Sequence, residues 1–223
     1  MKSNLFLRVI ILLFCIQLSA PANAEVIAEQ EARQWASEKG QQLIVAFGET
    51  DLAKKYTVLD EMFVSFVDLK YVSKFVIGKY WKQMSEEQRN EYQELFQKYA
   101  LSIYKSFPLD YDSEQIKFEI VKVMPENNKT TVRAKIDMSA LMKDENTPMS
   151  DIYVDFILRK DNGQIKIIDL KLGESSLILS YRSRFYEMIA KDDDDITWFL
   201  EDLSDITEAA ERTNQEKLQQ AEY

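Results

Sequence analysis

Residues 152–172 read IYVDFILRKDNGQIKIIDLKL, and this stretch decides the fold class. Ile152, Val154, Phe156 and Leu158 hold alternate positions, the period of a strand with one buried face. Asn162-Gly163 follows, a pair that accepts the positive φ angles of a tight hairpin turn. Ile165 to Leu172 is then the returning strand. Upstream, Ile116, Phe118 and Ile120 alternate with charged residues, Met124-Pro125-Glu126-Asn127-Asn128 reads as a turn, and Val132, Ala134, Ile136 and Met138 alternate again. Four strands in succession predict an antiparallel sheet.

The half of the chain before this sheet has helical period. Ala28, Ala32, Trp35, Ala36, Leu43 and Phe47 predict an N-terminal helix, weakened at Gly40. Asp51 is placed to cap a helix containing Tyr56, Leu59, Met62 and Phe63, and Asp68 to cap the next. Ser85 with Gln88 forms a capping box, with Glu86 and Glu87 in the electropositive first turn. Tyr92, Leu95, Phe96, Tyr99 and Ile103 follow at helical spacing, and Pro108 ends the helical half. After the sheet, a helix is expected over about Ser176 to Ile189, and a short apolar one over Ile196 to Leu203. The predicted class is α+β, a four-stranded antiparallel sheet packed against helices with a helical subdomain.

The ends bound what the chain does. Residues 1–24 read as a signal peptide: Lys2 and Arg8, a short apolar run from Val9 to Leu18, and a small-x-small site at Ala22-Asn23-Ala24. Phe14 before Cys15 is too bulky for a lipoprotein signal. Cleavage would remove Cys15, the only cysteine, so packing without disulfides must hold the exported chain. It would also remove two cations and no acidic residue, taking the formal charge from −10 to −12. Such a charge argues against nucleic acid as a partner, whose phosphates recruit Lys and Arg. The expected division is a signal peptide over 1–24, one domain over 25–203, and a polar tail over 204–223, disordered or a loose helix, that lacks a consistent apolar face.

No histidine is present, which excludes Ser-His-Asp and Cys-His nucleophilic centres and histidine-ligated zinc. The Asp192–Asp195 run lacks the glycine and terminal glutamate of an EF-hand, and reads as a solvated loop capping the following helix. No metal or other cofactor is expected. Of the strand carboxylates, Asp137 and Asp155 lie opposite the apolar sets and are expected to face solvent. Asp169 shares the alternation of Ile165 and Ile167, which makes it the one candidate general base; a bond to a cation or to backbone amides is the structural alternative.

Two stretches carry a resemblance. In Asp68 to Tyr104 the residues are Asp68, Ser73, Lys74, Val76, Gly78, Trp81, Gln88, Arg89, Tyr92, Phe96 and Tyr104. In Val154 to Phe185 they are Gly163, Lys166, Asp169, Ser176, Leu177, Tyr181 and Arg182. Together they resemble the MlaC, or toluene-tolerance auxiliary, family of periplasmic phospholipid-binding proteins. The chain departs from the family pattern at Val67, Ile165 and Gly173-Glu174. The resemblance implies a cone like that of nuclear transport factor two, with an open cavity between sheet and helices filled by glycerophospholipid tails. The side chains expected there are Val72, Phe75, Val76, Tyr80, Phe96, Tyr99, Ile103, Val132, Ala134, Ile136, Val154, Phe156 and Leu177. It also implies a periplasmic carrier rather than an enzyme. Its implied partners are phospholipid, an inner-membrane MCE-domain transporter complex and an outer-membrane lipoprotein complex. Two other readings stay open: an enzyme on the same fold with Asp169 as base, and a periplasmic adaptor with a filled core.

Overall fold

The computed structural model describes residues 25–106, 116–137, 151–191 and 193–221. The signal-peptide segment, Pro108 and Met138 lie outside the described residues. Helices α1 (Glu29–Phe47), α2 (Leu52–Phe66), α3 (Leu69–Ile77) and α4 (Glu86–Ser106) come first, with a 3-10 turn over Gly78–Lys82 between the last two. Strands β1 (Lys117–Pro125), β2 (Thr130–Asp137), β3 (Asp151–Asp161), β4 (Gln164–Leu172) and β5 (Ser175–Ser176) follow, then α5 (Leu177–Lys191) and α6 (Ile196–Ala221). The helix starts form where local chemistry puts them. The Asp51 carboxylate accepts from Lys54 N at 3.1 Å, and Asp68 from Tyr71 N at 3.0 Å. Ser85 and Gln88 exchange both bonds of a capping box, at 3.0 and 3.1 Å. Asp195 accepts from Thr197 N at 2.7 Å and so caps α6.

The sheet has the order β1-β2-β3-β4-β5, every neighbouring pair antiparallel. The fold class is therefore α+β as expected, but the sheet has five strands, not four. The fifth is two residues long, too short to show as alternation. Asn162 and Gly163 turn between β3 and β4 with φ of 49° and 74°, both positive as a type I′ hairpin requires. Pro125 sits in β1 at the sheet edge, where a missing N–H costs no ladder bond.

Two bulges shift the alternation. In β1 the register passes from Ile120–Ala134 to Lys122–Arg133, leaving Val121 unpaired. In β4 it passes from Ile167–Leu158 to Asp169–Ile157, leaving Ile168 unpaired. Cross-strand partners share a face, so Asp169 projects opposite to Ile165 and Ile167. This corrects the expectation from simple alternation.

Two apolar assemblies result. One lies among the helices, where Tyr92, Phe96 and Tyr99 of α4, Phe185 and Ile189 of α5, and Phe199, Leu200 and Leu203 of α6 pack on Val76 and Ile77 of α3. Its rings interlock: Phe185 lies 5.4 Å from Phe199, 5.7 Å from Tyr99 and 6.2 Å from Phe96. The other lies between α1 and the sheet, where Ile27, Ala32 and Ala36 meet Val123, Val132 and Leu158.

Residues 204–221 are helical, because α6 runs through them. Its last turns dock on α4 by polar contacts: Asn214 Nδ2 donates to Ser102 O at 2.9 Å, and Lys217 Nζ to Lys105 O at 3.2 Å. Lys105 O is among the α4 carbonyls that lack an intrahelical partner, so Lys217 acts at a helix C-terminus. A hydrophobic pattern carries no trace of such docking.

Candidate functional site

The assembly under α1 is incomplete. Trp35, Ala36, Gly40, Leu43, Ile44 and Phe47 of α1 recur at helical spacing and form one wall of a cavity of about 200 Å³. Phe66 at the end of α2 forms the rim, and Ile116, Phe118, Ile136, Phe156 and Ile167 from the sheet side form the floor. These walls are almost wholly apolar. Gly40 faces Phe118 so closely that a Cβ there would overlap the ring. The glycine that weakens the helix therefore lets α1 lie against β1. Lys39 contributes its stem to the wall and carries its ammonium outward, 4.9 Å from the Phe66 ring centre and 3.2 Å from Gln42 Oε1.

At one end the cavity meets a polar recess. Trp35 and Phe66, edge to face at 6.2 Å, stand between the two together with Lys39. Beyond them the recess is lined by Glu31, Gln34, Glu38, Ser65, Gln164 and Lys166, among others.

The residues expected to contact lipid fall into separate places. Ile136 and Phe156 line the cavity. Val132, Ala134 and Val154 are buried in the sheet. Val132 packs under α1 beside the cavity, and Ala134 lies between Val132 and Ile136 on the same strand face. Val72, Val76, Tyr80, Phe96 and Tyr99 are buried in the helical assembly, with Ile103 packed against it. Phe75 stacks on Tyr71 with ring centres 6.4 Å apart, under the Arg182 guanidinium. Leu177 is 45 % exposed at the start of α5. The α4 face thus packs a filled core, and the cavity belongs to α1 instead. None of the side chains expected to contact lipid comes from α1. The available signal was Gly40, inside an otherwise apolar helical stripe, which marks a close approach.

The strand carboxylates have structural partners. Asp169 accepts from Leu170 N at 2.8 Å, Ser176 Oγ at 2.7 Å and Ile178 N at 3.2 Å, tying β4 to the first turn of α5. Asp155 is buried, not solvent-facing as alternation suggests. Arg133 on the adjacent strand reaches both its oxygens, at 2.6 and 2.7 Å. These charge-assisted bonds hold the Asp155 carboxyl below the usual carboxylate range. Burial pushes the Tyr181 phenol up to about 12, beside the Tyr99 ring. Among the described residues no group of three or more His, Cys, Asp or Glu side chains is placed to hold a metal ion. Nor is any helix among them long and apolar enough to cross a membrane.

The architecture is an α+β domain, a sheet with helices on its face and an apolar cavity beneath one of them. The family model described as "MlaC protein" matches residues 41–205, and the chain belongs to that family. Its fold is also that of a solved structure described as the phospholipid-binding protein from Ralstonia solanacearum in complex with a phospholipid. The two align with a TM-score of 0.66 at 16 % identity, over 80 % of this chain and 98 % of the other. No curated protein matches the chain significantly. The family match begins at residue 41, so Trp35, Lys39 and Gly40 of the cavity wall lie outside it.

Proposed function

We propose that this protein is a periplasmic phospholipid carrier, shuttling glycerophospholipids between an outer-membrane lipoprotein complex and an inner-membrane MCE-domain ABC transporter. The observation that carries this reading is the apolar cavity between α1 and the sheet, in a chain of the MlaC family. The phospholipid bound to the structural relative supports it. A buried methylene contributes roughly 0.8 kcal/mol, so the roughly thirty methylenes of a diacyl lipid cost more than 20 kcal/mol to leave in water. A carrier must enclose them. Bilayer and cavity are both apolar, so exchange between them is close to neutral, and direction comes from the partners.

The cavity of about 200 Å³ is below the ~300 Å³ at which ligand pockets usually start. Lipid entry therefore moves α1 away from the sheet. An enzymatic reading has less support. Asp169 projects from the other face of the sheet and is engaged by Ser176 and two backbone amides.

Native mass spectrometry of the protein isolated from the periplasm tests the proposal. Co-purifying phospholipid is expected in the wild type and is lost in Ile136→Glu, whose carboxylate would stand in an apolar wall. A wild-type protein that neither carries lipid nor acquires it from vesicles would overturn the carrier reading.

A further inference from the structure

Resting on that reading, we infer that the recess beside Trp35 and Phe66 is a headgroup subsite matched to a zwitterionic head, with a phosphate and an ammonium. The recess has a volume of about 500 Å³ and shares Trp35, Lys39 and Phe66 with the tail cavity. A lipid whose tails leave the cavity past this aromatic pair has its polar end there. The recess is lined by charges of both signs, and their pairing separates them into two classes.

Glu31 is held by an ion pair, since Lys160 Nζ donates to it at 2.9 Å while also lying 3.5 Å from Glu25. Glu38 is not, because its bond is from the neutral Gln34 amide at 2.9 Å. Neither Lys39 nor Lys166 makes an ion pair among the described residues. Lys39 donates to Gln42, and Lys166 Nζ reaches Val64 O at 3.5 Å. Two lysines and one glutamate without an ion pair among the described residues thus border one recess. A phosphodiester alone satisfies the lysines but meets Glu38 as a like charge. A phosphate bearing an ethanolamine ammonium satisfies both signs. Discrimination comes from repulsion of the wrong head as much as from attraction of the right one.

The test loads the purified protein from vesicles holding equal amounts of phosphatidylethanolamine and phosphatidylglycerol with identical acyl chains. After repurification the bound lipids are counted by mass spectrometry. These ion pairs are partly exposed, so the expected preference for phosphatidylethanolamine is modest, roughly two- to fivefold. Glu38→Gln is expected to bring the ratio close to one. Lys39→Gln with Lys166→Gln is expected to lower total retained lipid for both heads. Glu38 is exposed and the two lysines are half-buried, and unchanged thermal unfolding would confirm that the variants fold. Loading in the donor proportion by the wild type, or an unchanged ratio in Glu38→Gln, overturns the headgroup inference and leaves the carrier reading intact. Failure to load either lipid sinks the carrier reading, and the subsite with it.

Discussion

The helices around Phe185 and the space beneath α1 use the same kinds of side chain, but only the first is closed up. Phe185 is fully buried and ringed by Tyr92, Phe96, Tyr99 and Phe199. Four helices converge there, and each can rotate or slide until the rings interlock. Beneath α1, a single helix lies on a sheet whose floor positions are set by strand register. Phe118, Ile136, Phe156 and Ile167 cannot close on α1 independently, because each is held by its ladder. Helices among helices therefore fill their core, while one helix over a floor held by strand register leaves room.

The contrast is open to direct attack, and the largest effect belongs to the filled side. Phe185→Ala is expected to cost about 3–5 kcal/mol, since the interlocked rings cannot collapse onto the gap. In a chain of this size each kcal/mol lowers Tm by roughly 2–4 °C, so thermal denaturation reads the loss easily. Phe156→Ala enlarges a space that is already there and removes fewer contacts. It is expected to cost about 1–3 kcal/mol, with bound lipid retained. Equal losses for the two substitutions in chemical denaturation would erase the distinction between filled and open regions.

Gly40→Ala probes the contact that seats α1. Alanine gains about 1 kcal/mol of helix propensity, but its Cβ must push the Phe118 ring aside, and the ring has the cavity to move into. A change in stability within about 1 kcal/mol is expected, together with less bound lipid per folded protein. Lipid extraction after purification reads this, and undiminished lipid would place the tails elsewhere. The smallest effect belongs to the polar margin of the helical region. Asn214→Ala loses the bond to Ser102 O but also removes an Oδ1 that has no partner among the described residues, so the expected cost is only about 0.5–1.5 kcal/mol. A neutral result in equilibrium unfolding would show that α6 is held by its apolar turns alone.

Much of this architecture was legible locally. The caps at Asp51, Asp68 and Ser85 and the Asn162-Gly163 turn each satisfy a few backbone groups within a few residues. Alternation identified the main strands, because a half-buried sheet imposes its period on its own sequence. The residues that carry the family resemblance were also legible, and the family match over 41–205 spans both stretches.

What escaped depends on partners distant in the chain. The extra residue at Ile168 exists only in the pairing of β4 with β3, and it alone turns Asp169 to the other face. The docking of α6 beyond Leu203 rests on amide and ammonium bonds to α4 carbonyls, which hydrophobic periodicity does not register. The cavity is the extreme case. Apolar side chains at helical spacing are equally suited to a filled core and to the wall of a cavity, so sequence determined which faces are apolar but not which of them meet. The Tyr99 and Ile103 face found partners in α5 and α6 and closed. The Leu43 and Phe47 face met a floor held by strand register and stayed open, because burial favours contact only where the backbone lets the two surfaces approach.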